Sequence, residues 1–406
     1  MISFRRPFRR STSDSSGRLR VAIVAESFLP AVNGVTNSVL RLLEHLDAQG
    51  HEAIVIAPGP GDEVVHGTPV VRVRAVDLPR YDSLRVGLPI GRLTSTLRDF
   101  APDVVHLAAP TVLGAGAARA ARNLDIPVVA IFQTDIVGFA KRYGVGAASA
   151  PLWAWLRWVH GHADVTLAPS TAAAWTLRAH GIERVDRWVR GVDLQRFHPH
   201  HRSPMLHRHL APNGELVVGY VGRLAKEKQI HRLAPVTRLP GVRVVIVGDG
   251  PERAKLERSL PRATFVGFKG GAELGQFHAT FDVFAHTGLD ETFCQAVQEA
   301  LASGVPVVAP AAGGPIDLVT HGHNGYLWSP EQPEMLVGGV AALADSPADR
   351  ASFGRAARAG VETRPWSVVM DELVGRYRSV IAGEPFQPAT KTAGKTATTI
   401  TLESVA

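Results

Sequence analysis

Two glutamates, Glu291 and Glu299, stand eight positions apart in ETFCQAVQEA, with mostly apolar or uncharged residues between them. Paired carboxylates first suggest glycoside hydrolysis, in which the two groups lie roughly 5 to 9.5 Å apart across one bond. Eight residues of continuous helix rise about 12 Å, too far for that pair. The spacing suits two carboxylates that grip different parts of one extended ligand.

Cations stand where such a ligand could carry phosphate. In GYVGRLAKEKQI a strand ends at Gly222, Arg223 follows at once, and Lys228 comes five residues later, near the start of an expected helix. Two cations and a helix N-terminus at a strand's C-terminal end make a site for a diphosphate. Two solvated surface charges are the plain alternative. In VVIVGDGPERAKLE, Gly248 and Gly250 lie between a strand and a helix, but Arg253 occupies the third glycine position of a dinucleotide fingerprint. With no ribose-binding acid evident beyond it, a nicotinamide cofactor is not expected. Gly34 in FLPAVNGVTNS and Gly313–Gly314 in APAAGGPIDLV mark further strand-to-helix turns. There backbone N–H groups either approach a ligand or simply turn the chain. The sequence has no Asp-x-Asp, His-Glu-x-x-His, Walker or Gly-x-Ser-x-Gly pattern, so metal-held diphosphate, zinc hydrolysis, P-loop and serine esterase chemistry lose support. His198, His200, His201, His207 and His209 read as polar loop residues rather than a metal site.

The elements that must position these residues alternate along the chain. RLRVAIVAES, HEAIVIAP, DVVHLAAP, IPVVAIFQ and DVTLAPS read as buried strands, with helices at VLRLLEHLDAQG, closing on Gly50, and at LGAGAARAARNLD. The pattern lapses into a His-, Pro- and Arg-rich linker around residues 186–215. A second series follows, with strands LVVGYVG, VRVVIVGDG, ATFVGF, FDVFAHT and VPVVAP. Strands separated by helices imply parallel sheets with crossover connections. Two such halves in tandem imply a cleft where ligands sit at the strand C-terminal ends.

At 406 residues the chain is long enough for two domains, and 45% hydrophobic with 20% charged residues is typical of a folded soluble protein. A single cysteine, Cys294, excludes an intrachain disulfide and suits a reducing cytosol. No apolar run approaches the roughly 20 residues that span a bilayer, and the basic N-terminus lacks the apolar core of a secretory signal. The net charge of +7 and pI of 9.8 ask for an anionic partner: nucleic acid, acidic membrane or phosphorylated substrate. Six arginines near the N-terminus, interleaved with Phe4 and Phe8, could dock to anionic lipid at about 1 kcal/mol each, or form a solvated tail. GFAKRYGVGAASAPLWAWLRWVHGHAD mixes Lys141, Arg142 and Arg157 with Trp153, Trp155 and Trp158, which suits either a membrane interface or a packed core.

Taken together, VGRLAKEKQ, VIVGDGP, ETFCQAVQE, AGGP and HNGYL resemble the retaining glycosyltransferases of the GT-B fold, which use nucleotide-activated sugars without a metal ion. FQTDIVGFAKRYG, RGVDLQRFHP and ETFCQAVQEA are similar to the actinobacterial GDP-mannose-dependent α-mannosyltransferases, which act on membrane glycolipids of the phosphatidylinositol mannoside and glucuronosyl diacylglycerol type on the route to lipomannan-like products. The resemblance implies an α/β GT-B fold, two Rossmann-like domains facing each other across a deep cleft. The expected boundaries are a basic disordered tail at 1–17, an acceptor-binding domain at 18–190 and a nucleotide-sugar domain at 191–365. A helix at 366–382 would cross back to the first domain, and 383–406 would be a disordered tail.

The resemblance also implies roles. Glu291 would face the donor hexose, and Glu299 would bind the nucleotide ribose hydroxyls. Arg223 and Lys228 would neutralise the departing diphosphate, with Glu291 completing the catalytic set. Gly34, Gly250 and the backbone at Phe293 and Cys294 would line the donor. On the acceptor side stand Gln133, where many relatives carry histidine, Asp135 as acceptor base or helix cap, and Tyr143. The departure at Gln133 counts against a mechanism that needs an imidazole there. The implied partners are GDP-mannose, a lipid-linked acceptor and an anionic membrane surface, with no cofactor, no metal and no nucleic acid. The implied location is the cytoplasmic side of the cell membrane, peripherally attached. A UDP-sugar lipid glycosyltransferase would share these motifs. A non-catalytic basic protein that binds membranes or nucleic acid would share only the charge.

Overall fold

The computed structural model describes residues 17–78, 81–88, 92–109, 111–142 and 149–387. The expected tails lie almost wholly outside these residues, as do Tyr143 and the side chains of Lys141 and Arg142.

The first half contains β1 (Arg20–Val24), β2 (Glu52–Pro58), β3 (Val64–Val65), β4 (Thr68–Val73), β5 (Ala75–Leu78), β6 (Tyr81–Gly87), β7 (Val104–Leu107), β8 (Val128–Ile131), β9 (Val165–Ala168) and β10 (Val185–Arg187). Eight of them form one sheet in the order β10-β9-β8-β7-β1-β2-β4-β3, parallel except for the β3–β4 pair. The second half contains β11 (Leu216–Val221), β12 (Val242–Val247), β13 (Thr264–Gly267), β14 (Val283–Ala285), β15 (Val307–Pro310) and β16 (Gly325–Trp328). These make an all-parallel sheet in the order β13-β12-β11-β14-β15-β16. Apart from Arg20 and Arg243 near their starts, strands such as RVAIV and VRVVIV are apolar or β-branched throughout, because helices cover both faces of each sheet.

Both sheets have a switch point, β1/β7 in the first and β11/β14 in the second, where the strand order reverses and a crevice opens. The segments that follow β1, β11 and β14 carry Gly34, Arg223, Lys228 and the Glu291–Glu299 stretch, while Gln133 and Asp135 follow β8 and Gly250 follows β12. The helix Trp366–Ile381 packs on the first half, not the second. Val369, Met370, Leu373, Val374 and Tyr377 join the core beneath the first sheet. Tyr377 Oη lies 2.7 Å from Nδ1 of the buried His106, and Trp188 Nε1 donates to Val369 O at 2.9 Å. Burial pulls the His106 imidazole down to about 3, so it is neutral and a hydrogen-bonding anchor for this helix.

Two expectations change. No helix begins at Lys228; the chain runs through 3-10 turns at Lys226–Lys228, Ile230–Leu233 and Val236–Arg238. Gln229 adopts a left-handed conformation (φ +49°), which stops helix growth after a single turn. The linker, in turn, is largely folded. Val192, Phe197 and Leu210 enter the core of the second half, and His207 Nε2 meets Asp282 Oδ2 at 2.7 Å.

Candidate active site

The two glutamates occupy different structural settings. Glu291 lies on the loop after β14, and Glu299 lies inside the helix Gln295–Ala302. Cys294 caps that helix from a left-handed conformation (φ +78°), and the N–H groups of Phe293 and Cys294 donate to no partner among the described residues. The glycine pair of AGGP supports this loop. Gly314 N donates to Glu291 O at 2.8 Å, and a Cβ on Gly314 would collide with the Phe293 backbone. Those glycines are therefore required by the protein's own loop, the alternative to direct ligand approach.

Lys228 Nζ meets Glu291 Oε1 at 2.6 Å, and His286 Nε2 stands 3.2 Å from the same oxygen. Burial pushes the Glu291 carboxyl up, but the Lys228 ammonium and His286 outweigh it and hold it well below the usual carboxylate range. Lys228 is correspondingly raised: burial opposes its charge, and Glu291 more than compensates. Both groups are charged at any physiological pH. His286, Glu291 and Cys294 bring one donor atom each within 4.8 Å of one another, a mixed set able to hold a metal ion. The Lys228 ammonium already supplies positive charge at that carboxylate.

Arg223 behaves differently. It is exposed, and its side chain has no hydrogen-bond or ion-pair partner among the described residues. The structure therefore ties Lys228 to Glu291 and leaves Arg223 free to meet a ligand. Gly250 (φ +157°) lies against the backbone of Leu224, next to Arg223, so the glycine loop after β12 shapes the segment carrying that cation.

Glu299 is the opposite case from Glu291. Burial raises its carboxyl to about 8, with Arg196 and Arg190 opposing and Asp193 adding to the rise. His278 Nε2 lies 3.6 Å from Oε2, and burial holds that imidazole down at about 3, so it brings no charge to the pair. If, as the family resemblance implies, Glu299 accepts two ribose hydroxyls, it must be ionised to do so, and binding of a nucleoside diphosphate should then strengthen as pH rises through 8. Between pH 7 and 9 the affinity for GDP is expected to increase about tenfold. Calorimetry across that range checks it, and Glu299→Gln should flatten the profile.

The first half supplies the other wall. Gln133, just past β8, donates from Nε2 to Ala108 O at 3.0 Å, and its Oε1 accepts from Arg190 Nη2. The same Nη2 donates to Gly34 O at 2.7 Å, and a Cβ on Gly34 would sit 3.1 Å from Arg190 Nη1. Gly34 opens the helix Gly34–Ala48, capped by Asn33, whose Oδ1 accepts from Val35 N and Thr36 N at 2.9 and 3.1 Å. Asp135 caps the helix Ile136–Arg142, with Oδ1 accepting from Gly138 N at 2.9 Å, so one oxygen is committed to the fold.

Arg190 carries no spacing signal in the sequence, yet it ties the two walls together. Burial lowers its guanidinium to about 10, and Glu299 opposes that fall. Its carbonyl accepts from Gln298 Nε2 at 2.9 Å, and the Gly191 carbonyl accepts from Gln295 Nε2 at 3.0 Å. Thr292 Oγ1 donates across to Gln133 O at 3.0 Å, and Thr171 N donates to Asp317 Oδ2 at 2.6 Å. These bonds join segments up to 159 residues apart and hold the carboxylate loop against the Gln133 wall.

Two parallel α/β halves, a free arginine and a carboxylate-bound lysine after one strand, and two carboxylates around a helix N-terminus define a GT-B glycosyltransferase. The comparisons with known proteins agree. Residues 32–196 match the model for Glycosyltransferase Family 4, and residues 204–360 match that for Glycosyl transferases group 1. A GDP-mannose-dependent alpha-mannosyltransferase of Mycolicibacterium smegmatis is 50% identical over 377 residues, covering 91% of this chain and 100% of that protein. The chain belongs to the glycosyltransferase family of which that enzyme is a member. A GDP-mannose-dependent alpha-(1-6)-phosphatidylinositol dimannoside mannosyltransferase of Mycobacterium tuberculosis is 29% identical, covering 74% of this chain and 82% of that one. In fold, the chain is similar to Anabaena HepE, solved with UDP and glucose (TM-score 0.70, 22% identity, 89% of this chain and 100% of that one).

Proposed function

We propose that the protein is a retaining, GDP-mannose-dependent α-mannosyltransferase acting on a membrane glycolipid. Mannosyl transfer from GDP-mannose rests on one observation, half identity along the entire length of a relative bearing that name. In this reading GDP leaves with negative charge developing on its diphosphate. Arg223 and Lys228 meet that charge, and preorganised cations of this kind supply much of the rate enhancement without a metal. Glu291 accepts from the donor hexose and Glu299 from the ribose. Closure of the two halves around the donor would exclude water and limit donor hydrolysis.

The lipid acceptor, of the phosphatidylinositol mannoside or glucuronosyl diacylglycerol type, draws support from a surface on the helix Ser149–Gly161. Trp153 is core, 6% exposed and stacked on His180. Trp155 and Trp158 are 40% and 39% exposed and stack on each other at 5.3 Å, beside the exposed Arg157. Exposed tryptophans with a neighbouring cation suit the headgroup region of an anionic bilayer. No described helix is long and apolar enough to cross a membrane, and attachment to the surface is the mode proposed. Replacing Trp155 and Trp158 together by Gln should reduce binding to vesicles containing phosphatidylinositol on the order of tenfold, read by sedimentation. Thermal melting of the variant reports its fold.

The deciding experiment incubates the protein with a panel of labelled nucleotide sugars and actinobacterial membrane lipids. Label from GDP-mannose alone, in an α-linked lipid product and lost in Glu299→Ala, supports the proposal. Label from a UDP sugar instead would keep the site and replace the donor.

A further inference from the structure

His286 has no part in the mechanism above, yet it is 2% exposed and touches the carboxylate on which that mechanism depends. It follows β14 directly. Its N–H donates to Val308 O at 2.9 Å and its carbonyl accepts from Trp328 Nε1 at 3.3 Å, so the sheet sets its backbone position. Its ring lies parallel to that of Tyr220, with centroids 6.1 Å apart and planes 7° from coplanar. Nε2 then stands 3.2 Å from Glu291 Oε1, the oxygen that also takes Lys228 Nζ at 2.6 Å. Gly288 makes the approach possible: a Cβ there would lie 3.0 Å from His286 Nε2 and 3.1 Å from Glu291 Oε1. The second oxygen, Oε2, has no partner among the described residues.

We propose that His286 is a positioning residue for donor-sugar recognition, pinning Oε1 of Glu291 together with Lys228 so that Oε2 is left to accept a hydroxyl of the donor hexose. The inference rests on the reading of Glu291 as the group that faces the hexose. The terminal torsion of a glutamate is broad, and one ammonium fixes the distance to an oxygen without fixing the carboxylate plane. A second donor arriving from another direction fixes the plane. The His286 contact, at 3.2 Å, lies off the line of a well-formed hydrogen bond, and catalytic contacts of this kind tighten when a substrate is engaged. An acceptor oxygen held in one place discriminates between hexoses that differ in the direction of one hydroxyl, because the wrong epimer leaves a buried polar group unpaired.

The test uses His286→Phe, which keeps the ring but removes the N–H, and His286→Gln, which restores an N–H of similar reach. Readouts are kcat and KM with GDP-mannose and membrane lipid, the preference for GDP-mannose over GDP-glucose, and GDP affinity by calorimetry. His286→Phe is expected to lower kcat/KM about ten- to a hundredfold and to narrow the hexose preference. Its GDP affinity should hold within about twofold, because GDP carries no hexose. His286→Gln should recover part of both losses. Unchanged turnover and preference in His286→Phe would overturn the proposal. So would a loss shared equally by GDP affinity with the preference intact, which is the signature of a structural role. If the wild-type protein does not turn over GDP-mannose, the parent reading fails and this inference fails with it, and the wild-type arm identifies that case.

Discussion

Lys228→Ala is expected to lose both activity and stability. The lysine does two jobs that this substitution removes together. It is the ion-pair partner of Glu291 at 2.6 Å, with side chains 25% and 15% exposed. Removing one member of a largely buried pair leaves the other charge uncompensated, and destabilisation of about 2–4 kcal/mol follows, reduced from the fully buried case by the residual exposure. The Glu291 carboxyl, freed of the ammonium, should move up toward neutrality under burial, with His286 alone opposing. In the proposed mechanism catalysis loses both the cation assigned to the diphosphate and the ionised group assigned to the hexose, so kcat/KM should fall at least about a thousandfold. Urea unfolding and steady-state turnover on the same preparation check both parts. A variant within tenfold of wild type in turnover would remove Lys228 from the catalytic set.

Arg223→Ala separates the two effects. Its guanidinium is exposed and has no side-chain partner among the described residues, so stability should stay within about 0.5 kcal/mol of wild type. If Arg223 has the role proposed above, activity should still fall about a hundred- to a thousandfold, because a cation aimed at charge that develops in the transition state acts mainly on kcat. The donor KM should change less than kcat. A variant that loses affinity for GDP but keeps kcat would assign Arg223 to ground-state binding instead.

The central strands, β1, β2, β7–β9 and β11–β15, were readable because each is a local run of apolar, β-branched residues; β3–β6, β10 and β16, short or more polar, were not read from the sequence. The carboxylate stretch was readable for a similar reason, since eight positions of chain separate its two acids. Its ordered company of glycine turns and cations carried the family resemblance. Local pattern failed where one φ angle decided the outcome, as at Gln229, which replaces the expected helix with 3-10 turns. It also left the tryptophans undivided. Packing in the core with Phe132, Val137 and Leu177, and against His180, takes Trp153 inward while Trp155 and Trp158 stay at the surface.

By itself, then, the sequence determined two parallel α/β halves and placed the candidate residues at their strand ends. The tertiary structure alone decided that Lys228 belongs to Glu291 while Arg223 is free, and that Arg190 joins Gly34 to Gln133. The physical reason is separation. Lys228 and Glu291 are 63 residues apart, Arg190 and Gly34 are 156 apart, and neither pair shares a helix face or strand register. Periodicity records which side of an element faces the core. Which distant side chain waits there is set by how two sheets and their crossovers pack. Burial raises both carboxyls, and only Glu291 has a lysine brought against it to hold it down.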